Sequence, residues 1–374
     1  MESLLDRKLL KNLDIPLLAN VVFLVGIGFI AIYAATKSFG TEKSFSFVLT
    51  QAIAFALGIV TVGIIVSIDY HQFGLYWKII YVICILILIA VLIPGIGKVN
   101  KGARGWIDLG VVEMQPAELA KIGIIITFAK LLESRQGKLN TLKDLMVPFI
   151  HIGIPIILIM LQPDLGNALV FMIIAAGMLF VAGLNMKFIW GSIVALVVSF
   201  PILWNFVLLN HQKNRLITFI NPYNDPLGDG YHVIQSMLAV GSGQIAGKGL
   251  FEKDTMTNLN FLPEQWTDFI FSVIAELTGF IGAALVVILF AFFLHRLLTL
   301  SRIAKDQFGT LVIAGIFFMY LFQVIENIGM TIGLMPITGI TLPFISYGGS
   351  SLLTNMIAIG LVLNITMRRH KIKF

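Results

Sequence analysis

The segment FIFSVIAELTGFIGAALVVILFAFFL, residues 269–294, decides the fold class. Its apolar run is continuous and long enough to cross a bilayer as a helix, which takes roughly 20 residues. A membrane-spanning β-strand would instead alternate apolar and polar residues. Similar runs elsewhere predict about ten transmembrane helices. These helices cover residues 15–35, 45–66, 79–95, 116–132, 145–161, 165–184, 188–208, 269–294, 308–328 and 348–367.

The composition also indicates an all-α polytopic membrane protein. The 374 residues are 58% hydrophobic and 12% charged, and the mean hydropathy is +0.93, whereas soluble domains carry about 25% charged residues. The single cysteine, Cys84, excludes a disulfide within the chain, and the six histidines show no metal-ligand spacing. Basic loops on a membrane protein account for the net charge of +6. We therefore expect no nucleic-acid partner.

The distribution of basic residues predicts the orientation. Lysine and arginine are more frequent in the loops on the side of the N-terminus, as at Arg7, Lys8 and Arg369. The positive-inside rule then places both termini in the cytoplasm. The external loops cover residues 98–113, 210–266 and 335–347, the second lying between helices seven and eight. We expect the whole chain, 1–374, to form a single transmembrane domain with its functional site on the external face, because elaborate loops carry function.

Asp268 lies where the long external loop meets the apolar helix, within reach of water and of lipid headgroups. A carboxylate there could act as a base toward a lipid-linked substrate. It could equally be a helix-start residue, because Pro263-Glu264 is a helix-start signature and acids favour the positive end of a helix. The residues alone leave both interpretations open and favour the structural one.

Other charged residues are predicted at membrane depth, where each costs about 3 kcal/mol or more unless it meets a partner or a cavity. Glu118 and Lys121 are spaced i,i+3 on one helix face, so they predict a neutral structural pair, a charged cavity wall, or both. Asp164 could cap the sixth helix or serve a substrate. Glu276 lies about 80° around the helix from Asp268, so the two acids need not share a pocket.

Two loops hold further candidates. Arg104 stands between glycines in GARG, which let the backbone approach a ligand while the guanidinium offers a fork to phosphate. Trp106 could be an interfacial anchor, and Arg215 belongs to a stretch typical of ordered turns. The glycines of residues 241–249 lack P-loop spacing, and their density suits a loop on the membrane surface.

Several motifs together resemble the SEDS family (shape, elongation, division and sporulation), and its RodA branch more than its FtsW branch. The resemblance covers almost the whole chain, with the blocks in the family's order. The matching stretches are GARGWIDLG (102–110), MQPAELAK (114–121), QPDLGNALV (162–170), FINPYNDPLGDGYHVIQSMLAVGSGQIAGKGL (219–250), FLPEQWTDFIFSVIAE (261–276) and NIGMTIGLMPITGITLPFISYGGSS (327–351).

The resemblance implies a ten-helix peptidoglycan glycosyltransferase of the bacterial cytoplasmic (inner) membrane, active in cell elongation. Such proteins polymerise lipid II, the undecaprenyl-diphosphate disaccharide-pentapeptide, on the outer face of the membrane. The implied partners are lipid II, membrane lipid and a class B penicillin-binding protein that cross-links the strands. A divalent cation, Mg²⁺ or Mn²⁺, is compatible with this chemistry, but no metal ligands are readable.

The resemblance assigns the family's essential aspartate to Asp268, for which we expect the role of general base on the acceptor hydroxyl. Two departures stand near it: Trp266 replaces a histidine of many relatives, and Leu277 replaces a second acid. Cations should face the departing diphosphate. The expected substrate-binding residues are Arg104, Glu118, Lys121, Asp164, Arg215, Gln235, Ser346 and Ser350.

Two alternatives stay open. A lipid II flippase would also use intramembrane charges, but it needs a polar path open to both faces. A structural partner of a penicillin-binding protein would need no reactive site at all.

Overall fold

The computed structural model describes residues 11–100, 103–108, 113–208, 210–226, 228–250, 252 and 254–368. Helices form over every predicted span. In chain order the helices are α1 Ile15–Thr36, α2 Thr41–Ser67, α3 Tyr70–Leu75, α4 Trp77–Leu92, α5 Pro116–Glu133, α6 Leu142–Met160, α7 Leu165–Val181, α8 Met186–Ile202, α9 Asn210–Ile220, α10 Asp229–Ser242, α11 Ile270–Arg302, α12 Gln307–Thr331 and α13 Gly349–Met367. The basic residues Arg7, Lys8 and Arg369, which indicate the orientation, lie outside the described residues.

The helices differ in how clearly they are membrane spans. Among the described residues, six are long and apolar enough to cross a bilayer: α1, α2, α6, α11, α12 and α13. Helices α4, α7 and α8 are apolar but shorter. Helix α5 has 18 residues and is long enough to belong with these six. It differs from them in its charged residues, which are Glu118, Lys121, Lys130 and Glu133. The chain is thus a polytopic helical membrane protein, as the hydropathy predicts.

The loops that are predicted to be external contain more regular secondary structure than the sequence predicts. Strands β1 Gly97–Asn100, β2 Ala103–Asp108 and β3 Glu113–Met114 form a three-stranded antiparallel sheet in the order β1-β2-β3. The loop at 210–266 contains helices α9 and α10. These elements correct the all-helical prediction locally, because a folded loop must pair its own backbone N–H and C=O groups.

The bundle is packed around α12 and α13. Helix α12 contacts α11, α7 and α5, and α13 contacts α2 along its length. Small residues allow the close approach: a Cβ on Gly58 would lie 2.6 Å from the Met356 side chain. The buried core runs through α1, α5, α7, α11, α12 and α13. This packing holds one end of several helices around a common space, which becomes the candidate site.

Helix α11 is interrupted near its start. Gly279 has non-helical torsion angles (φ 66°, ψ −164°), so residues 270–278 form a separate short helix. The turn after α10 supplies the missing partners: Phe280 N donates to the Gln244 carbonyl at 2.8 Å, and Gly249 N donates to the Leu277 carbonyl at 3.0 Å. Gly243 and Gly247 serve this backbone crossing, because a Cβ on either would lie within 2.3 Å of a backbone oxygen of the short helix. The position of this segment at the membrane surface stays a prediction.

Glu276 anchors the same short helix to the loop at 210–266. Its buried carboxylate accepts hydrogen bonds from Lys248 Nζ at 2.9 Å and from the backbone N–H groups of Met256 at 2.7 Å and Thr257 at 3.0 Å. The Thr257 hydroxyl also donates to it at 2.6 Å. Glu276 thus anchors the loop and does not line the cavity of Asp268 described below, as its predicted angular separation allows.

The backbone crossing gives a first prediction. A Cβ on Gly243 would lie 2.0 Å from the Ala275 carbonyl oxygen, whereas nothing lies within 4 Å of a Cβ on Gly241. We expect Gly243→Ala to lower the free energy of unfolding by about 1–3 kcal/mol through overpacking. Thermal unfolding in detergent measures the loss. Gly241→Ala, two residues away, is the control, and equal stability of the two variants would contradict the crossing.

Candidate active site

A cavity of about 640 Å³ opens at the end of the bundle where the predicted external loops meet. Acidic and hydroxyl side chains make up half of its lining residues, so the wall offers many hydrogen-bonding groups to a polar ligand. Its lining residues are Thr50, Trp106, Glu113, Gln115, Glu118, Pro163, Asp164, Leu165, Asn167, Arg215, Glu264, Trp266, Thr267, Asp268, residues 337–341 and residues 347–351.

Helix starts build much of this wall. The N-cap residues Gln115 of α5, Asp164 of α7 and Gly348 of α13 all line the cavity. A helix start carries partial positive charge and unpaired N–H groups. Gln51 holds the start of α13 in place. Its Nε2 donates to the Ser346 carbonyl and its Oε1 accepts from Gly348 N, both at 3.1 Å. The wall therefore offers oriented backbone donors besides side chains.

The backbone of Asp268 is held by two neighbouring elements. Asn327 of α12 donates one Nδ2–H to the Asp268 carbonyl and the other to the Ile340 carbonyl, each at 2.8 Å. The Ser346 hydroxyl donates to the Thr267 carbonyl at 2.7 Å and accepts from Leu342 N at 2.8 Å. Asp268 is thus clamped to the loop before α13.

The structure separates Asp268 from the helix start. Helix α11 begins at Ile270 with Phe269 as its N-cap residue, and no side chain of that cap bonds the helix. Asp268 precedes the cap and lies on the cavity wall. Gly339, whose φ of +73° favours glycine, lies beside this carboxylate: a Cβ built on it would be in ordinary van der Waals contact with Asp268 Oδ2, at 3.7 Å. This geometry favours a role toward a ligand.

Glu118 and Asp164 each form structural contacts and also line the cavity. Lys121 Nζ donates to Glu118 Oε1 at 2.7 Å, and both residues are buried. Asp164 caps α7 by accepting from Asn167 N at 3.0 Å, and it also accepts from Gln115 Nε2 at 3.1 Å. Both acids line the cavity. The structural roles are therefore compatible with a position on the cavity wall, and a substrate role for Asp164 stays a prediction.

Four predicted substrate-binding residues do not line the cavity in the described part of the chain: Arg104, Lys121, Gln235 and Ser346. Arg104 Nη1 turns to the Leu92 carbonyl at the end of α4, at 3.4 Å. Lys121 faces Glu118, and the Ser346 hydroxyl is occupied by backbone groups. Gln235 lies half-buried on α10. For these residues the structure corrects the expectation, whereas Glu118, Asp164, Arg215 and Ser350 line the wall.

The sequence also missed residues of the wall. Trp266 packs edge-on against Phe39, with ring centroids 5.3 Å apart, and Tyr347 stacks at an angle on Phe47 at 4.8 Å. Burial raises the pKa of Tyr347 and the charge of Glu113 raises it further, although a hydrogen bond with Thr50 lowers it. The Tyr347 phenol therefore stays protonated at neutral pH and can donate a hydrogen bond into the cavity.

A second cavity of about 340 Å³ adjoins the first. Four residues line both: Arg215, Glu264, Asp268 and Ile337. The residues that line only the smaller cavity are Thr218, Phe219, His232, Val233, Pro263 and Phe269. Asp268 therefore lies on a wall between two spaces.

The described residues contain no group of three or more His, Cys, Asp or Glu side chains placed to hold a metal ion. Mg²⁺ in phosphate-handling sites usually takes only one or two carboxylates, with substrate phosphates and water supplying the rest. Glu264, on the wall between the cavities, is an oxygen donor suited to that arrangement.

The sequence model of the cell cycle protein family FtsW/RodA/SpoVE matches residues 16–371. The chain belongs to this family. The SEDS resemblance read from the motifs is therefore confirmed. Among curated relatives, the peptidoglycan glycosyltransferase MrdB of Escherichia coli strain K12 is 36% identical over 314 residues, covering 84% of each chain.

Solved structures share the fold. A chain from a structure described as structural coordination of polymerization and crosslinking by a peptidoglycan synthase complex has a TM-score of 0.81 at 30% identity, covering 96% of this chain and 99% of that one. The rod shape determining protein RodA of Thermus thermophilus has a TM-score of 0.71 at 28% identity, covering 96% and 98%.

The clamp on Asp268 yields a second prediction. Ser346→Ala leaves the Thr267 carbonyl and the Leu342 N–H without their partner, so we expect a loss of about 1–3 kcal/mol in the free energy of unfolding. Ser350→Ala, at the cavity wall four residues away, leaves both of these hydrogen bonds in place, so we expect a smaller loss than for Ser346→Ala. Thermal unfolding of both variants compares them, and equal losses would argue against the bracing role of Ser346.

Proposed function

We propose that this protein is a peptidoglycan glycosyltransferase that polymerises lipid II, with Asp268 as the general base. The observation that carries the proposal is the position of the Asp268 carboxylate on a polar cavity wall at the end of the bundle that bears the external loops. Membership of the FtsW/RodA/SpoVE family and the name of the E. coli relative support the reaction class.

The chemistry assigns a role to each group. A free sugar hydroxyl is a weak nucleophile, so a carboxylate that takes its proton in the transition state assists the attack. Asp268 would accept the proton of the acceptor's N-acetylglucosamine 4-hydroxyl while the donor's anomeric carbon is attacked with inversion. Arg215, which lines both cavities, faces the charge that develops on the diphosphate. Glu118, Asp164 and Ser350 would bind substrate hydroxyl and amide groups.

A divalent cation is compatible with this arrangement. Glu264 would hold Mg²⁺ or Mn²⁺ together with substrate phosphate oxygens, and the ion would supply charge neutralisation to the diphosphate. Glu264 is anchored for such a role, because the Thr267 hydroxyl donates to its Oε2 at 3.0 Å.

The location and partners follow from the same proposal. The protein would lie in the bacterial cytoplasmic membrane with both termini inside, which places the cavity outside, where lipid II is polymerised. A class B penicillin-binding protein would cross-link the product, and the structural relative that couples polymerization with crosslinking supports such a partner. The RodA branch and cell elongation are favoured by the motif of residues 219–250, and a RodA structure shares the fold.

Transport is the less favoured function. Glu118 and Lys121 would suit a flippase path, but they are buried and paired with each other at 2.7 Å. The buried rings of Phe293, Tyr320 and Phe344 pack together with centroids 5.0–5.5 Å apart. This apolar packing inside the bundle favours a cavity open to one face.

The decisive substitution is Asp268→Asn, which keeps the side-chain volume and removes the base. We expect polymerisation of lipid II by the purified protein with its partner to fall by at least about a hundredfold, the usual contribution of a general base. Gel analysis of glycan strands measures it, with folding checked by thermal unfolding. Asp254→Asn is the control: Asp254 is an exposed acid of the same external loop and lines neither cavity. Substantial polymerisation by Asp268→Asn would exclude Asp268 as the base.

A liposome assay separates the enzyme from a flippase. With lipid II confined to one leaflet, we expect glycan strands to form without net movement of lipid II between leaflets. Translocation without any glycan product would support transport instead.

A further inference from the structure

Glu326, a buried acid near the end of α12, has no role in the site described above. Its side chain is almost completely enclosed, with 2% of the residue exposed. Two other buried acids, Glu118 and Glu276, each pair with a lysine, at 2.7 Å and 2.9 Å. In the described part of the chain, Glu326 instead has one hydrogen-bond partner, the Thr338 hydroxyl, which donates to its Oε1 at 2.9 Å. An acid at membrane depth without a cation is costly, so its presence indicates a function.

The partner of Glu326 belongs to a segment that faces the base. Residues 337–341, here called the wall segment, line the larger cavity. Gly339, in the middle of this segment, is the residue in van der Waals contact with the Asp268 carboxylate. The wall segment contains neither helix nor strand. Its conformation therefore depends on contacts from neighbouring elements and not on a regular ladder of backbone hydrogen bonds.

Two consecutive residues of α12 hold the wall segment. Glu326 accepts from the Thr338 hydroxyl, and Asn327 donates to the Ile340 carbonyl at 2.8 Å. Consecutive side chains point about 100° apart on a helix, so one turn of α12 can reach both positions at once. Thr338 and Ile340 are the neighbours of Gly339 in the chain. The glycine is therefore held from both sides where it meets the base.

Helix α7 confines the wall segment on another side. A Cβ on Gly166, in the first turn of α7, would lie 2.6 Å from the Thr338 carbonyl oxygen and 3.2 Å from the Ile340 side chain. The helix thus packs directly against the segment. Because α7 and α12 both contact the segment, its open side faces the cavity. Loss of the bond to Glu326 would let the segment shift on that side, toward Asp268.

We propose that Glu326 is a positioning residue for the reaction, because its bond to Thr338 keeps the wall segment in a fixed place beside the Asp268 carboxylate. The proposal rests on the proposed glycosyltransferase function. Glu326 lines neither cavity, so it acts through Thr338 and not on a substrate. A general base needs the reacting hydroxyl within hydrogen-bond reach. A displacement of about 1 Å can lower the rate by roughly a hundredfold.

Substitution of Glu326 tests this role in the lipid II assay with the partner present. Glu326→Met removes the acceptor and keeps a side chain of similar length, so we expect kcat to fall about tenfold with KM within about twofold. Glu326→Gln keeps an oxygen that can accept from Thr338, so kcat should stay within about threefold of the wild type. Gln323→Met is the matched control with unchanged kcat expected, because Gln323 is buried one turn earlier on α12 and its Oε1 has no partner among the described residues.

A double variant separates positioning from stability. Glu326→Met alone leaves the Thr338 hydroxyl without its partner and should lower Tm. Adding Thr338→Val removes both partners with little change of shape, so Tm should return toward the wild-type value. The kcat should stay low, because the bond that holds the wall segment is still absent. Recovery of kcat together with Tm would show that Glu326 acts only on stability and would overturn the proposal.

A labelling experiment measures the wall segment without turnover. Ile340→Cys places a thiol at a buried position of the segment, and Cys84→Ala removes the one natural thiol. In this background we expect Glu326→Met to raise the rate of maleimide labelling at least about tenfold, through more frequent local opening, and Glu326→Gln to leave it unchanged. Equal labelling in all three proteins would overturn the proposal. If the wild type makes no glycan strands, the proposed function fails, while the labelling rates still report whether Glu326 holds the segment.

Discussion

A break in a membrane helix constrains the rest of this structure. In lipid, every backbone polar group needs a partner, so a helix can break only where other groups satisfy the freed N–H and C=O. At Gly279 these partners come from the turn at 244–249, which approaches closely because Gly243 and Gly247 have no side chain. The short helix of residues 270–278 is thereby held at the bundle end, and Asp268 precedes it at the edge of the bundle. Discontinuous helices form binding sites in many transporters for the same reason.

Polar contacts between distant parts of the chain then fix the reactive group. Asn327 joins the carbonyls of Asp268 and Ile340, and Ser346 joins Thr267 to Leu342. The Asn327 amide and the Ser346 hydroxyl both form hydrogen bonds with backbone groups. They therefore stabilise the site rather than bind a substrate. Glu118 and Lys121 are also partnered within the protein, because each charge offsets the desolvation cost of burying the other. These contacts hold the backbone around Asp268 in place.

Much of the fold follows from the sequence, and less of the site does. Continuous apolar runs suffice to predict the helices, since length and hydropathy are local properties. Asp268 was placed at the loop–helix junction by the same local pattern, and its catalytic assignment came from the motif. Arg104 and Ser346 were predicted to bind substrate, but their side chains bond the carbonyls of Leu92 and Thr267. Such partners are set by tertiary contacts, which the local sequence does not reveal. His232 and Glu264 were missed because only the folded loop brings them beside Asp268.

The acidity of the larger cavity would be a contradiction if the whole reaction took place there. Glu113, Glu118 and Asp164 surround a space in which a diphosphate would be repelled, while Lys121 is turned away toward Glu118. The acceptor hydroxyl, however, is one disaccharide away from its own diphosphate, so only sugar needs to enter beside the base. Arg215 lies on the same wall as Asp268 and lines both cavities. The base and the cation that would neutralise the departing diphosphate are therefore held side by side, which reduces the repulsion between the carboxylates and the leaving group.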